Sequence, residues 1–450
     1  MFKKILIANR GEIAVRIIRA CREMGILTVA VCSEADKDAL HAQLADETVC
    51  IGPAASKDSY LNMESIISAT IATKAEAIHP GFGFLSENSK FARMCEKCNI
   101  TFIGPSSDIM DKMGDKSEAR NTMMAAKVPV VPGTKEPVYD ADTALKSAKE
   151  IGFPVMIKAS AGGGGKGMRV AESEEDFTSN FNTARKEAEN AFSDGTMYIE
   201  KYIENPRHIE FQILADKYGN VIHLGERDCS LQRKHQKMIE EAPSIVIDED
   251  LRKAMGKAAV MAAKSTGYYN AGTIEFILDK ENNYYFIEMN TRIQVEHPVT
   301  EMVTGVDLIK EQIRIAYGER LSLTQKDVKI KGHAIECRIN AENPDKNFMP
   351  CPGFADSIHF PGGMGIRVDS ALYSGYTIPP YYDSMVAKLI VYDKTRELAI
   401  DKMKSALGEF IVEGVGTNID FQYEIICNED YKNGNVDTGF IERLMADKKR

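Results

Sequence analysis

The 450-residue chain contains no tryptophan and no apolar run long enough to cross a bilayer. Basic residues are in the minority, because 56 lysines and arginines face 66 aspartates and glutamates, and the formal net charge is −10. This balance argues against a nucleic-acid partner. The apolar stretch at the N-terminus is too short for a signal peptide, and the nine scattered cysteines favour a reducing compartment. We therefore expect a cytoplasmic protein with no membrane partner.

The length predicts two or three domains, because one hydrophobic core rarely serves so long a chain. The chain opens with an apolar strand from Lys3 to Ala8, a helix that follows Gly11, and a second strand from Leu27 to Cys32. This order predicts a βαβ unit with a parallel sheet. Further along, residues 333–339 alternate like a strand, and residues 395–411 have the pattern of an amphipathic helix. The fold class is therefore α/β.

Ten residues, from Glu288 to His297, carry an unusual series of polar groups. They follow an aromatic and β-branched stretch that predicts a strand. If the chain stays extended, alternate side chains share one face: Glu288, Asn290, Arg292, Gln294 and Glu296. A carboxylate and an amide suit a hard cation, an arginine suits a planar oxyanion, and the last carboxylate is placed to act as a base. The alternative is an exposed edge strand that water solvates.

A second carboxylate, Glu275, lies in the preceding strand candidate. If residues 280–283 form the loop of a hairpin, Glu275 lies directly opposite Glu288. Like charges that face each other across a ladder are destabilising unless a divalent cation lies between them. Mg²⁺ is usually held by one or two carboxylates together with substrate phosphates. The hairpin therefore predicts a magnesium site, and two exposed glutamates are the alternative.

A glycine-rich segment follows the strand candidate that ends at Lys158. Glycines 162–165 allow close approach of the backbone, and successive N–H groups can form an anion-binding nest. The spacing is not that of a Walker A loop. A flexible linker is the alternative, but the flanking strands and the basic residues Lys166 and Arg169 favour a lid over nucleotide phosphates. The densely charged stretch from Glu226 to Lys237 is predicted to be a solvated loop.

Six segments of the chain resemble one family closely. They are residues 7–14, 79–88, 226–230, 233–237, 289–297 and 380–385. Together they resemble biotin carboxylases of the ATP-grasp superfamily. The resemblance implies an α/β (α+β) fold with an N-terminal Rossmann-like domain over residues 1–114, an ATP-grasp domain over 115–317 and a mixed α/β C-terminal domain over 332–446. It also implies a mobile lid over about residues 131–203.

The resemblance implies a role for each matching site residue. For ATP the residues are Lys116, Lys158, Gly164, Gly165, Glu200, Lys201, Ile203, His208, Gln232, His235, Glu275 and Glu288. For Mg²⁺ (or Mn²⁺) they are Glu275, Glu288 and Asn290. For bicarbonate they are Lys237, Arg292, Gln294, Val295 and Glu296. Glu296 is implied to be the base, Arg338 to stabilise the biotin enolate, and Arg292 and Lys237 to be catalytic.

Two positions depart from the family pattern. Phe82 stands where tyrosine is common, and Ala161 stands where another lid glycine is common. Neither change removes a catalytic group.

The implied partners follow from a missing motif. The sequence lacks Ala-Met-Lys-Met, so we expect biotin to arrive on a separate biotin carboxyl carrier protein. We also expect carboxyltransferase subunits, a stand-alone role in acetyl-CoA carboxylase and a homodimer. Three alternatives stay open: a biotin carboxylase for pyruvate or propionyl-CoA carboxylation, another ATP-grasp ligase, and a nucleotide-binding regulatory protein.

Overall fold

The computed structural model describes residues 1–159, 167–192 and 194–448. It divides into two compact units. The first contains Met1–Gly114, Arg207–Glu275 and Met289–Arg450, and the second contains Asp115–Pro206 and Phe276–Glu288. The division into domains at residues 1–114, 115–317 and 332–446 stays a prediction.

The first unit begins with a five-stranded parallel sheet in the order β3-β2-β1-β4-β5. Its strands are β1 (Lys4–Ile7), β2 (Leu27–Cys32), β3 (Glu47–Cys50), β4 (Ala77–His79) and β5 (Thr101–Phe102). The central strands are short and almost wholly apolar, as expected of a parallel sheet that is covered on both faces. The predicted βαβ opening is confirmed, with the intervening helix at Gly11–Glu23.

The second unit contains a three-stranded antiparallel sheet in the order β7-β6-β8. Its strands are β6 (Val155–Ala159), β7 (Met168–Ala171) and β8 (Met197–Lys201). The helices Ala141–Ile151 and Glu174–Phe192 contribute to its apolar core, which includes Phe177 and Phe181. The helix Lys116–Ala125 also belongs to this unit.

A large sheet forms the centre of the first unit. The long strands from residue 207 onwards are β9 (Arg207–Ala215), β10 (Val221–Arg233), β11 (Gln236–Ala242), β12 (Asn270–Leu278), β13 (Tyr284–Asn290), β14 (His333–Asn340), β15 (Ile366–Ser370) and β16 (Met385–Asp393). The end of β12 and most of β13 belong to the second unit. Seven of them follow the order β12-β9-β10-β11-β14-β16-β15. Strand β14 was predicted correctly, and the helix Arg396–Glu409 falls within the predicted residues 395–411.

The remaining elements of the first unit are helices of varied length and short strands. Its other helices are Glu34–Asp36, Leu40–Leu44, Ser56–Asp58, Met63–Thr73, Ser89–Lys97, Ser107–Gly114, Glu249–Ser265, His297–Thr304, Leu308–Tyr317, Pro344–Lys346, Ile419–Cys427, Glu429–Lys432 and Phe440–Asp447. Its other strands are Glu342–Asn343, Met349–Pro350, Gly353–Ala355, Ile358–His359, Tyr376–Ile378 and Ile411–Val412. Among the described residues, no helix is long and apolar enough to cross a membrane.

The predicted solvated loop from Glu226 to Lys237 is wrong. Most of this stretch lies within β10 and β11, and Arg227 is completely buried. Only Lys234 and His235 form the turn between the two strands, with φ of 48° and 64°. Buried charges are tolerated when they have partners, such as Glu210 at 2.5 Å from the Arg227 side chain. A run of charges in a sequence does not reveal partners on other strands.

The extended conformation predicted from Glu288 to Glu296 is also wrong in its second half. Strand β13 ends at Asn290, and the helix His297–Thr304 begins directly after Glu296. Pro298 lies in the first turn of this helix, where proline is well tolerated because the N–H it lacks has no intrahelical partner. The helix start therefore turns the chain, and Glu296 no longer follows the alternation of a strand.

Candidate active site

Lys237 lies at the centre of a group of buried carboxylates in the first unit. Its ammonium group is 2.6 Å from Glu210, 2.8 Å from Glu296 and 3.0 Å from Glu275. Strands β11, β9 and β12 supply Lys237, Glu210 and Glu275, while Glu296 immediately precedes a helix. Burial lowers the pKa of Lys237, but the three carboxylates raise it well above its ordinary value. The lysine is therefore a permanent cation.

Glu296 is fully buried between two cations. One carboxylate oxygen accepts a hydrogen bond from Lys237 at 2.8 Å, and the other accepts one from Arg338 at 2.9 Å. Burial tends to raise the pKa of Glu296, but Lys237, Arg338 and Arg227 together hold it well below its ordinary range. The carboxylate is thus ionised and available as a base when a second anion competes for its cations.

The predicted metal ligands differ in their surroundings. Glu275 accepts hydrogen bonds from Lys237 and from the Asn290 side chain at 2.9 Å, and the His208 ring lies 3.1 Å from its other oxygen. Burial tends to raise the pKa of Glu275, but Lys237 and His208 lower it below its ordinary value, so it is ionised. Carboxylate and amide oxygens fit a hard divalent cation. Glu288 is exposed on β13, and its pairing with Glu275 stays a prediction.

Arg292 is oriented by three side-chain acceptors. Its guanidinium donates to Glu87 at 2.8 Å, to Gln294 at 2.8 Å and to the Asn290 side-chain oxygen at 3.1 Å. The predicted clustering of Asn290, Arg292 and Gln294 is therefore present, although it forms where the strand ends. Glu87 was not identified from the sequence, although it lies in one of the segments, residues 79–88, that resemble the family.

Two other supporting residues were also missed. The Lys388 ammonium donates to the backbone oxygen of Val295 at 2.8 Å, and Glu240 accepts a hydrogen bond from the Arg338 side chain at 2.6 Å. Both Lys388 and Glu240 are completely buried. Charged side chains are almost never completely buried unless they are paired, and such burial is visible only in the folded chain.

The second unit holds another group of predicted ATP contacts. Lys158 forms an ion pair with Glu200, and Arg120 lies 3.6 Å from the same glutamate. Lys201 donates to two backbone oxygens, those of Gly152 and Phe153, at 2.9 Å each. The contact between Lys158 and Glu200 is explained by the antiparallel pairing of β6 with β8.

The other predicted ATP contacts are distributed as follows. Ile203 follows β8 in the second unit, and His208 and Gln232 lie on β9 and β10 in the first unit. His235 is exposed in the turn that follows β10. Gly164, Gly165 and the Ala161 substitution lie outside the described residues, as does the side chain of Lys116.

Three segments of the chain match protein-family descriptions. Residues 1–110 match "Biotin carboxylase, N-terminal domain", residues 115–324 match "Carbamoyl-phosphate synthase L chain, ATP binding domain", and residues 336–443 match "Biotin carboxylase C-terminal domain". Together these matches account for most of the chain.

Individual relatives agree with this result. Biotin carboxylase 1 of Bacillus subtilis is 61% identical over 443 residues, which is 98% of this chain and 98% of the relative. A pyruvate carboxylase subunit of Methanothermobacter thermautotrophicus is 55% identical over 98% of this chain and 90% of its own length. The biotin carboxylase domain of Hydrogenobacter thermophilus 2-oxoglutarate carboxylase, solved as a dimer with MgADP, ADP and bicarbonate, has a TM-score of 0.91 at 53% identity and covers 98% of both chains.

The fold, the buried acid–base group and these matches define an ATP-dependent carboxylating ligase of the ATP-grasp class. The chain belongs to the biotin carboxylase family.

Proposed function

We propose that this protein uses ATP and bicarbonate to form carboxyphosphate, and then carries the carboxyl group to N1′ of biotin on a separate carrier protein. One observation supports this most strongly. Glu296 is completely buried, yet it is ionised and held by Lys237 and Arg338. A protein that only binds nucleotides has no need for a buried base between two cations.

Bicarbonate is a weak nucleophile, so its activation needs both a base and a cationic site. We assign bicarbonate binding to Lys237, Arg292, Gln294 and the backbone of Val295. A bound anion would compete with Glu296 for Lys237. As that contact weakens, the pKa of Glu296 rises from its depressed value and the carboxylate becomes a stronger base.

The nucleotide is assigned to the matching family positions, which are Lys158, Glu200, Lys201, Ile203, His208, Gln232 and His235. Lys116, Gly164 and Gly165 are part of the same proposal. Glu275, Glu288 and Asn290 would hold Mg²⁺ or Mn²⁺, which would neutralise phosphate charge. The ordinary ligands of such an ion, carboxylate and amide oxygens, are the groups that this chain offers.

Biotin is assigned to Arg338. Its guanidinium stays charged because Glu240 and Glu296 raise its pKa against the effect of burial. A permanent cation of this kind would stabilise the enolate of biotin. Phosphate released from carboxyphosphate would take the proton from biotin N1′. Glu296 would then act as a base only towards bicarbonate.

The partners form the finer part of the proposal. We propose a cytoplasmic homodimer that works with a biotin carboxyl carrier protein and carboxyltransferase subunits in an acetyl-CoA carboxylase, which makes malonyl-CoA. A role in a pyruvate or propionyl-CoA carboxylase is the second candidate, and the name of the Methanothermobacter relative favours pyruvate. Pull-down of the native carrier, followed by assays with each acceptor, separates these candidates.

The test of the central reaction is the release of ADP by the purified protein. We expect release that depends on bicarbonate and rises when free biotin is added. A reaction in bicarbonate-depleted buffer is the control. ADP release that depends on neither bicarbonate nor biotin would contradict the proposal. Complete absence of turnover despite ATP binding would favour a regulatory nucleotide-binding protein.

A further inference from the structure

Arg338 is held on one side by Glu296 and on the other by Glu240. The Arg338 Nε atom donates to Glu240 at 2.6 Å, while a terminal nitrogen donates to Glu296 at 2.9 Å. The proposed function assigns Glu240 no contact with substrate or nucleotide. Its hydrogen bond fixes the direction of the guanidinium that faces Glu296.

Glu240 has an unusual neighbour, because Glu336 lies directly opposite it in the antiparallel ladder of β11 and β14. Both glutamates are completely buried. Within the described chain, neither oxygen of Glu336 and only one oxygen of Glu240 has a hydrogen-bond partner. Two buried carboxylates at such a pair of positions repel each other if both are ionised.

Among the described residues, no cation is in hydrogen-bond contact with Glu336. Lys388 on β16 is the cation that most favours its charged form, but Lys388 is engaged by Glu12 at 3.1 Å and by the backbone oxygen of Val295 at 2.8 Å. Arg338 is engaged by Glu240 and Glu296. A carboxylate buried without a partner of its own is costly in its charged form, so the neutral acid is favoured.

We propose that Glu240 and Glu336 act together as a positioning pair for Arg338. Glu336 carries a proton, and its neutral state lets Glu240 stay ionised and hold the Arg338 guanidinium in place. This inference rests on the proposed function, since it concerns how that reaction is supported.

The charge balance around the pair is consistent with this assignment. The charged groups around it are Lys237 on β11, Arg338 on β14, Lys388 on β16 and Glu296 before the helix. Burial raises the pKa of Glu336 well above its ordinary value, and Glu240 adds to this effect while Lys388 opposes it. Burial also raises the pKa of Glu240 to about 7, against the lowering effect of Arg338, so Glu240 is mostly ionised only above about pH 7, where Glu336 keeps its proton.

The first test is Glu240→Gln, which keeps the shape and removes the charge that holds Arg338. We expect kcat for biotin carboxylation to fall on the order of 10- to 100-fold, because a misplaced catalytic group slows the reaction by such factors. The KM for ATP should stay as in the unsubstituted protein, and Glu240→Asp should recover part of the loss. Unchanged kcat in Glu240→Gln would overturn the proposal.

The second test is the pH profile of Glu336→Gln. Deprotonation of Glu336 at high pH places two anions opposite each other and disturbs Arg338, so activity of the unsubstituted protein should fall there. Glutamine cannot lose a proton, and we expect the alkaline limb of the profile to move to higher pH. If the alkaline limb of Glu336→Gln does not move, or if its kcat falls strongly at neutral pH, the protonated form of Glu336 is not the active form.

Glu241→Gln is the matched control. Glu241 adjoins Glu240 on the same strand and is also buried, but it contacts His333 and Arg396 instead. The Glu241→Gln variant should be less stable, but its kcat and its KM for ATP should match those of the unsubstituted protein. If Glu336→Gln does not fold, Glu336→Met is a second neutral variant.

The outcomes separate the two proposals. If the unsubstituted protein shows no bicarbonate-dependent turnover, the proposed function is refuted. If the unsubstituted protein is active and the variants are unaffected, only the positioning pair is refuted.

Discussion

Neighbouring groups decide the charge of each buried glutamate in the first unit. Glu296 and Glu336 are both completely buried, and burial raises the pKa of both. Two cations contact Glu296 and reverse the effect, whereas Glu336 has no cation in hydrogen-bond contact among the described residues. The same residue type is therefore ionised at one position and favoured as the neutral acid at the other.

Glu296→Ala removes the assigned base and should separate binding from turnover. We expect ATP binding to persist, because no assigned nucleotide contact is lost. Bicarbonate-dependent ADP release should fall by about 10²- to 10⁴-fold, the usual contribution of a positioned acid or base. Titration calorimetry and the ADP assay measure the two quantities, and Glu281→Ala in an exposed turn is the control. Turnover retained in Glu296→Ala would contradict the assignment.

Glu241 should make stability depend on pH. Burial tends to raise its pKa, but His333 and Arg396 hold it far below the ordinary value. Because the folded state keeps the carboxylate ionised more strongly than the unfolded chain, these contacts of Glu241 stabilise the protein above about pH 4.3 and lose their effect as the pH falls below it. Glu241→Gln should cost about 3–5 kcal/mol near neutral pH.

Denaturant unfolding of both proteins across a pH series measures this difference. We expect the gap between the unsubstituted protein and Glu241→Gln to shrink steadily towards acid. A gap that does not change with pH would mean that packing, and not the contacts of the Glu241 carboxylate with His333 and Arg396, accounts for the loss.

At the level of elements, the turn between β10 and β11 combines strain with a proposed contact. Lys234 and His235 both adopt positive φ, at 48° and 64°, as a two-residue hairpin turn of type I′ requires. Asparagine and glycine are the residues that favour this conformation, and lysine and histidine do so less readily. A contact between His235 and ATP would explain why histidine occupies a position whose positive φ favours asparagine or glycine.

Replacement of the two turn residues separates these contributions. Lys234→Asn should raise the free energy of unfolding by roughly 1 kcal/mol because it relieves left-handed strain. His235→Gly should stabilise the hairpin similarly and raise the KM for ATP, whereas Lys234→Asn should leave that KM unchanged. Thermal melting and ADP release provide the two measurements. Equal KM values in both variants would remove His235 from the nucleotide contacts.

Elements also show where sequence reasoning succeeds. The strand Leu27–Cys32 and the helix Arg396–Glu409 were predicted because apolar periodicity is a local property. The extended path to Glu296 failed because a helix start at His297 ended it. A proline two residues after Glu296 was the available signal for that helix.

At the level of the whole molecule, removal of the divalent cation should abolish turnover and leave the fold intact. The assigned ligands Glu275 and Asn290 already bond to each other and to cationic side chains, which is why we expect the fold to persist without the ion. We expect chelation to stop ADP release and added Mg²⁺ or Mn²⁺ to restore it. Circular dichroism should not change.

Nucleotide binding gives a second measure of the same site. MgATP at about 100 times its Kd should stabilise the protein by ~2.7 kcal/mol through mass action. Chelation should reduce this gain. Persistent turnover in excess chelator would remove the metal from the proposal.

The sequence by itself determined the family, the parallel N-terminal sheet and the set of candidate site residues, because motifs and periodicity are written in consecutive residues. The tertiary structure decided which charged side chains contact one another. Glu240 and Arg338 are 98 residues apart, and Glu87 and Arg292 are 205 apart, yet both pairs are in hydrogen-bond contact. Whether a buried glutamate is an anion or an acid depends on such distant contacts, since charge in a low-dielectric interior is set by the nearest groups in space.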